Sequence, residues 1–333
     1  MVIAALVAAV AIVLPSPDPA PAVEAPPGAC NGSPALCDKR VDHVVFAATH
    51  NSYAAADEPG WFFANQRRGI ARQLRDGIRA FLIDVHYGVP DGGSGRIRTD
   101  LTYEGSSRNK VAKELSPEAL RAADRLAGRV GRGIPAEGRG AYLCHTLCEL
   151  GAEPLGEQLA IFRSFLAANP GETLILFVEP YVPPSEIERA FEDAALVDYA
   201  ATLATGEPLP TLGRLSETGK RLIVLAEEDA GAMPWYLDGF AFVQDTPLGA
   251  DRPEQLRCGR FRGEAASPLL LVNHWIPPFP PSVTRNARIG GAFLEDRLEQ
   301  CGNARERLPN IVAVDFYEQS GVVEIAARLN ARP

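Results

Sequence analysis

The chain has 333 residues, of which 46% are hydrophobic, and it carries a formal net charge of -9. This length accommodates one large α/β domain, since a single α/β barrel commonly needs about 250 residues. The negative charge argues against a nucleic-acid-binding protein, which would show a basic patch, and against simple electrostatic adhesion to anionic lipid.

The first segment, Met1 to Leu14, contains no charged residue and leads into a stretch rich in Pro and Ala. Such an apolar run is typical of a secretory signal, although the usual early Lys or Arg is missing, and it is short for a bilayer span. We therefore predict a signal-like segment and linker over residues 1–29 and a single domain over residues 30–333. A disordered tail on a cytosolic protein is the alternative, and cleavage of the segment stays open.

Apolar runs bounded by Gly, Pro, Asn and Asp predict eight strands in series. They lie near residues 44–48, 80–85, 141–144, 174–178, 221–226, 239–243, 269–273 and 311–316. Helices are predicted near residues 67–76, 119–130, 155–168, 184–194, 287–300 and 322–329. Continuous apolar strands that alternate with helices imply a parallel sheet buried on both faces. We predict an α/β fold, an irregular (β/α)8 TIM barrel, because the second and third strands are unusually far apart.

The six cysteines form three neighbourhoods along the chain. These are Cys30 with Cys37, Cys144 with Cys148, and Cys258 with Cys301. Sequence alone cannot choose among the connectivities, but in an exported protein we expect nearest-neighbour pairs that each pin a loop. The spacing that is usual for zinc ligands is missing. The cysteines therefore favour a secreted or cell-surface protein.

Polar and titratable residues follow most of the predicted strands, at the end where a barrel forms its active site. In chain order they are His50 and Asn51, Asp84 and His86, His145, Glu179, Glu227 and Glu228, Asp245, Asn273 and His274, and Asp315 and Tyr317. Four of the five histidines fall on this rim, which is the main reason to predict an enzyme. Glu227 and Glu228 are interpreted as a solvated loop, and His274 as a structural residue.

Two histidines on one rim can act as general base and general acid, because imidazole titrates near neutral pH. The oxygens of Asn51, Asp84 and Glu179 are hard ligands that suit Ca²⁺ or Mg²⁺. His86 shares the face of Asp84 and is a ligand, an orienting residue or packing. Asp315 either anchors the barrel end or orients a histidine. A divalent cation beside a histidine pair favours phosphodiester chemistry.

Several segments form a recognisable set. They are Ala48 to Tyr53, Gly77 to Asp84, Cys144-His145, Asn169 to Thr173 and, more loosely, Val314 to Tyr317. As a set they resemble the X region of phosphatidylinositol-specific phospholipase C, with the closest likeness over residues 41–182. The set is specific for the superfamily of phospholipase-C-like phosphodiesterases and much less specific for substrate.

The resemblance implies roles for individual positions. His50 matches the family's catalytic base, which activates the inositol 2-hydroxyl, and His145 matches the acid that protonates the leaving alcohol. Asp84 and Asp315 complete the catalytic residues that we expect.

For the metal, the resemblance implies calcium, with magnesium as the alternative. Asn51 and Asp84 match calcium ligands of the metal-dependent members, and Glu179 falls near a third. Leu82 stands where the calcium-dependent eukaryotic enzymes have an acidic ligand. That ligand is therefore lost or replaced, and His86 is the candidate replacement.

All three tryptophans, Trp61, Trp235 and Trp275, fall in predicted βα loops, where they either contact a lipid interface or pack loops onto the barrel. The sequence thus predicts a secreted, monomeric phosphoric diester hydrolase or lyase that acts on a phospholipid or another phosphodiester through transient membrane-surface contact, with no nucleic-acid partner. A glycerophosphodiesterase or sphingomyelinase-like activity is an alternative on the same barrel. A catalytically silent lipid- or glycan-binding module is another.

Overall fold

The computed structural model describes residues 26–91, 96–100, 118, 121, 125, 138–276 and 280–332. The strands are β1 (Phe46–Thr49), β2 (Ala80–Pro90), β3 (Ile97–Thr99), β4 (Gly140–Leu143), β5 (Glu153–Pro154), β6 (Leu174–Pro180), β7 (Leu222–Ala226), β8 (Tyr236–Asp238), β9 (Val243–Asp245), β10 (Leu269–His274) and β11 (Pro309–Val314). The α-helices are α1 (Ile70–Asp76), α2 (Leu155–Ala168), α3 (Pro184–Asp193), α4 (Leu212–Thr218), α5 (Gly239–Phe242), α6 (Val283–Ala287), α7 (Ala292–Arg305), α8 (Tyr317–Ser320) and α9 (Val322–Asn330).

Some predictions fall outside these residues. The signal-like segment lies there up to residue 25, and so does most of the helix predicted near residues 119–130. The division of the chain at residue 29 stays a prediction. None of the helices in the described part of the chain combines the length and apolar character needed to cross a bilayer.

A curved parallel sheet of eight strands forms the framework, in the order β8-β7-β6-β2-β1-β11-β10-β9. Each neighbouring pair along this path is parallel. Within the described residues no strand pairing joins β8 to β9, so the barrel is open there. The predicted α/β class and irregular barrel are confirmed.

The third predicted strand forms, but it does not belong to the parallel barrel. It is β4, which pairs antiparallel with the outer half of β2, with Val85 opposite Leu143. Because β2 runs for 11 residues, it extends beyond its parallel neighbours and offers a free edge to β4. This antiparallel return determines where the next residues of the chain lie.

The prediction of a sixth strand near residues 239–243 is wrong. Helix α5 forms there instead, between the short strands β8 and β9. The carboxylate of Asp238 caps this helix by accepting hydrogen bonds from the N–H groups of Phe240 and Ala241. A four-residue apolar run is compatible with either structure, and the cap decides between them.

Side chains on the barrel strands alternate between two buried layers. On β6, Ile175 and Phe177 belong to a core enclosed by the curved sheet. Leu176 and Val178 belong to a second core that includes Phe162 of α2. This alternation is the ordinary period of a strand. As a result, the residue two positions after the last apolar residue that faces the barrel interior also faces the interior.

The helix predicted near residues 287–300 forms as α7, but it begins only at Ala292, after Gly290 and Gly291, and a separate short helix, α6, ends at Ala287. Gly291 has φ +58°, which a residue with a side chain rarely adopts. The six cysteines pair as expected, Cys30–Cys37, Cys144–Cys148 and Cys258–Cys301.

Candidate functional site

A ring of polar side chains closes the C-terminal end of the barrel interior. Each stands two residues beyond an apolar residue of the enclosed core: Asp84 after Leu82, Glu179 after Phe177, Glu227 after Leu225, Asn273 after Leu271, and Asp315 after Ala313. Strand periodicity therefore brings them to one place. Most of them, together with neighbouring residues, line a space that we call the polar cavity. Its titratable lining residues are His50, Asp84, His145, Glu179, Glu227 and Arg262.

His50 follows β1 directly and is held on its edge and on its face. Its Nδ1–H donates a 2.9 Å hydrogen bond to Oδ1 of Asp315, a carboxylate that is itself buried. Oδ2 of Asp315 accepts a 3.2 Å hydrogen bond from the amide of Asn65. The imidazole also stacks on Trp275, with ring centroids 3.9 Å apart. Since Nδ1 is occupied, Nε2 is the nitrogen available to a substrate.

His145 arrives from the antiparallel branch rather than from a barrel strand. Because Val85 pairs with Leu143, the chain two residues later lies beside Asp84. Nδ1–H of His145 donates a 2.8 Å hydrogen bond to Oδ2 of Asp84. Partial desolvation at the barrel mouth opposes the charged imidazole, but this hydrogen bond and the charges of Asp84, Glu179 and Asp315 raise the pKa of His145 above its ordinary value.

The two imidazoles face each other across the mouth of the barrel. Their ring centroids are 6.4 Å apart and their planes are inclined by 78°. The side chain of His50 is 18% exposed and that of His145 is 57% exposed, so a ligand from solvent can reach both. Each ring has a carboxylate on Nδ1, which leaves the two Nε2 atoms for chemistry.

Arg262 supplies a cationic group in the polar cavity. Its guanidinium donates to Oδ2 of Asp245 at 2.6 and 2.9 Å and also pairs with Glu227. Burial lowers the pKa of Arg262, an effect that the charge of Glu179 opposes. The prediction that Glu227 is solvated is wrong, because its side chain is only 7% exposed and the arginine pairs with it.

Three of the four predicted metal ligands, Asn51, Asp84 and Glu179, line the polar cavity. Asp84 and Glu179 are register partners on β2 and β6, so their carboxylates lie side by side. Two carboxylates and an amide are donors of the kind that Ca²⁺ and Mg²⁺ accept. No cluster of three His, Cys, Asp or Glu side chains suited to a metal occurs in the described part of the chain. A cation here would therefore take only three protein ligands and fill its shell with water and substrate oxygens.

His86, the fourth predicted ligand, does not line the cavity. It is buried, and its ring stacks on Tyr181 with centroids 3.9 Å apart. Leu82 does line the cavity, so an apolar side chain occupies the position of the missing acid. His86 therefore does not replace that acid.

A second cavity of about 160 Å³ adjoins the histidine pair on its other side. We call it the apolar hollow, and its apolar lining consists of Trp61, Phe63, Leu147, Leu150 and Pro281. The three tryptophans therefore differ in their surroundings. Trp61 lines the hollow and Trp275 stacks on His50, whereas Trp235 is buried and stacks on Phe191 of α3, which makes it a core residue.

Sequence reasoning missed Arg262, Asn65 and the supporting position of Trp275. Arg262 and Asn65 lie in loops, outside any motif, and reach the site only because the barrel brings their loops to its mouth. Trp275 directly follows β10, so its position at the rim was visible, but its partner His50 was not.

Comparison with known proteins yields a family match. The model of the family PI-PLC X 1 matches residues 135–330. A PI-PLC X domain-containing protein of the fungus Arthroderma benhamiae is 24% identical over 90% of this chain and 89% of its own length. A second protein of that fungus, described as an uncharacterized secreted protein, is 23% identical over 90% of this chain and 64% of its own length. A PI-PLC X domain-containing protein of Arabidopsis thaliana is 26% identical over 85% of this chain and 60% of its own length.

Solved structures share the fold. The phosphatidylinositol-specific phospholipase C of Listeria monocytogenes is 14% identical, with a TM-score of 0.50 over 90% of this chain and 98% of that enzyme. The corresponding enzyme of Staphylococcus aureus is 13% identical, with a TM-score of 0.51 over 89% of this chain and 95% of that enzyme. At this level of identity the likeness concerns the barrel alone.

Proposed function

From the premise that the chain belongs to the PI-PLC X family, we propose that it is a phosphoric diester hydrolase or lyase in which His50 and His145 carry the chemistry. The family predicted from the sequence is confirmed by this membership. The observation that supports the activity is the pair of imidazoles 6.4 Å apart, each with a carboxylate on Nδ1. A tetrahedral phosphate bound between the two rings would meet an Nε2 atom on either side.

In the proposed reaction a hydroxyl of the substrate, next to the phosphodiester, is the nucleophile. Nε2 of His50 takes the proton of this hydroxyl while its oxygen bonds to phosphorus. The bond from phosphorus to the leaving oxygen breaks, and His145 gives its Nε2 proton to that oxygen. The products are a cyclic phosphate diester and a free alcohol.

Asp315 and Asp84 orient the two rings in this proposal. Each accepts from Nδ1–H, which holds its histidine in the tautomer that presents Nε2 to the substrate. Each also stabilises the imidazolium when its ring is protonated. The different exposure of the rings supports the different roles, since the leaving alcohol departs on the more exposed side, where His145 lies.

A divalent cation, Ca²⁺ or Mg²⁺, belongs to the proposal at Asn51, Asp84 and Glu179. When bound, it would stabilise the negative charge that develops on the phosphoryl oxygens. Arg262 lies in the same cavity, but Asp245 and Glu227 already neutralise its charge.

A phosphatidylinositol-type lipid is the proposed substrate, because the solved relatives with this barrel are named for that specificity. Secretion or display at the cell surface is proposed from three disulfides and from one relative described as secreted. Transient contact with the membrane surface and a monomeric state complete the proposal as predictions.

Phosphorus NMR of the full chain with phosphatidylinositol vesicles tests the function. We expect a cyclic inositol phosphate in the presence of Ca²⁺, and no product from His50→Ala or His145→Ala. The same product in the presence of a chelator would support the roles of the two histidines and exclude a requirement for the metal. A different phosphorylated product would move the assignment to a glycerophosphodiesterase or sphingomyelinase-like reaction. Wild-type rates in either histidine variant, or no product from any phosphodiester, would overturn it.

A further inference from the structure

The polar cavity and the apolar hollow meet at the histidine pair. His50, Asn51 and His145 line both of them. A phosphate held between the two imidazoles would therefore lie at the junction of the two cavities. The two substituents of a phosphodiester would then enter different surroundings, one that contains several charged side chains and one whose lining is mainly apolar.

The walls of the hollow are anchored rather than loosely folded. The indole N–H of Trp61 donates a 2.7 Å hydrogen bond to Oε1 of Glu153, a buried side chain. The backbone N–H of Phe62 donates a 2.9 Å hydrogen bond to the carbonyl of Leu150, which joins the two opposing wall segments. Gly151, at φ +148°, lies so close to the indole that a Cβ atom there would overlap the ring.

The geometry points to the hollow as the binding site for the apolar part of the leaving alcohol, while the polar half of the diester occupies the polar cavity. This inference rests on the proposed function for its orientation: both histidines line the hollow, but its wall residues Leu147 and Leu150 follow directly after His145, the proposed acid, which must lie beside the leaving oxygen. At about 160 Å³ the hollow holds a short alkyl segment or a single ring, not a whole acyl chain. It therefore selects the atoms closest to the phosphorus.

Burial of an alkyl chain in such a hollow has a measurable signature. Each buried methylene contributes about 0.8 kcal/mol, which corresponds to about a fourfold gain in affinity. The gain should stop once the hollow is full, because further methylenes then remain in water. If the alkyl chain lay on an open protein surface instead, the affinity would not level off at a particular chain length.

The experiment measures binding without turnover. Isothermal titration of the full chain with methyl, ethyl, propyl, butyl and hexyl phosphate monoesters gives Kd against chain length. For the wild type we expect Kd to fall by about fourfold per methylene over the first members and then to level off. Leu150→Gln, inside the hollow, should flatten this dependence. Leu248→Gln is the matched control, because Leu248 lines the polar cavity instead, and it should retain the dependence.

A chain-length dependence that is unchanged in Leu150→Gln, or missing in a wild type that binds the esters, overturns the assignment. Leu147→Gln provides a second variant if thermal melting shows that Leu150→Gln does not fold. The result is separable from the proposed function. A dependence lost only in the hollow variants supports the assignment even if NMR detects no turnover, and turnover with a flat dependence overturns the hollow alone.

Discussion

Asp315 and His50 are 265 residues apart in the chain and are joined by a 2.9 Å hydrogen bond from Nδ1 to Oδ1. The contact exists because β1 and β11 are parallel neighbours, with Thr49 in register with Val314. The residue after each strand end therefore reaches the rim at the same height. Since the carboxylate also accepts from Asn65, both of its oxygens are used.

Asp315→Asn should lower kcat by about 100-fold or more, within the range that general acid–base catalysis contributes. Asn has one acceptor oxygen, whereas His50 and Asn65 both donate to this side chain, so one hydrogen bond is lost. Steady-state kinetics with circular dichroism as a check of folding measures this. Asp42→Asn, at a carboxylate paired with Arg40 away from the cavities, is the control and should leave kcat unchanged. A kcat near that of the wild type in Asp315→Asn would mean that Asp315 only anchors the barrel end.

His145→Ala should be partly rescued by a better leaving group. An acid is needed for an alkyl alcohol and hardly at all for 4-nitrophenol, which leaves readily as an anion. We therefore expect the loss of kcat/KM in His145→Ala to be at least about tenfold smaller with the 4-nitrophenyl ester than with the alkyl ester. His50→Ala should lose a similar factor with both. Equal losses with both esters in His145→Ala would contradict its role as the acid.

Calcium binding should depend on Glu179. Removal of one carboxylate from a three-ligand site is expected to weaken Ca²⁺ by roughly tenfold or more in Glu179→Gln, measured by titration calorimetry without substrate. Glu192→Gln, an exposed position on α3, is the matched control. Identical Ca²⁺ affinities in the two variants would place the cation elsewhere.

Glu153 should make the protein less stable as the pH rises. Burial raises the pKa of Glu153 to about 8, against the hydrogen bond from Trp61, which lowers it. The folded state therefore holds a proton that the unfolded state releases near pH 4.5, the ordinary value. Between these two values the unfolded state binds fewer protons, so the free energy of unfolding falls with rising pH.

Glu153→Gln removes this titration and retains an oxygen acceptor for the indole. Thermal melts from pH 4.5 to 8 should show that the wild type loses roughly 5 °C more than the variant over this range. Parallel pH profiles of the two proteins would show that the carboxyl ionises normally.

The disulfide Cys144–Cys148 encloses His145, whereas Cys258–Cys301 closes a far longer loop. By chain entropy the short bridge contributes about 2 kcal/mol and the long bridge about 4 kcal/mol. Replacing both cysteines of the short bridge with Ser should therefore lower kcat more than the same replacement in the long bridge does, because the loop that positions His145 is released. The double Ser variant of the long bridge should lower Tm more than the double Ser variant of the short bridge does. The reverse order in kinetics and melting would separate the short bridge from the function of His145.

Local periodicity was sufficient to predict much of the fold. Helix α2 occupies the predicted residues 155–168, and the strands around residues 174–178 and 269–273 lie where their apolar runs are. The strand predicted near residues 239–243 failed because a short apolar run carries too little periodicity to distinguish a strand from a helical turn.

The sequence by itself determined the family, the barrel class and the positions of the polar residues at the strand ends, because these depend on motifs and on the two-residue period of a strand. The tertiary structure alone decided which of them meet. His145 reaches Asp84 through the antiparallel β4, Arg262 enters the polar cavity from a loop, and His86 turns away to stack on Tyr181. Such contacts join residues far apart in the chain, and their geometry follows from strand order and register, which local sequence does not encode.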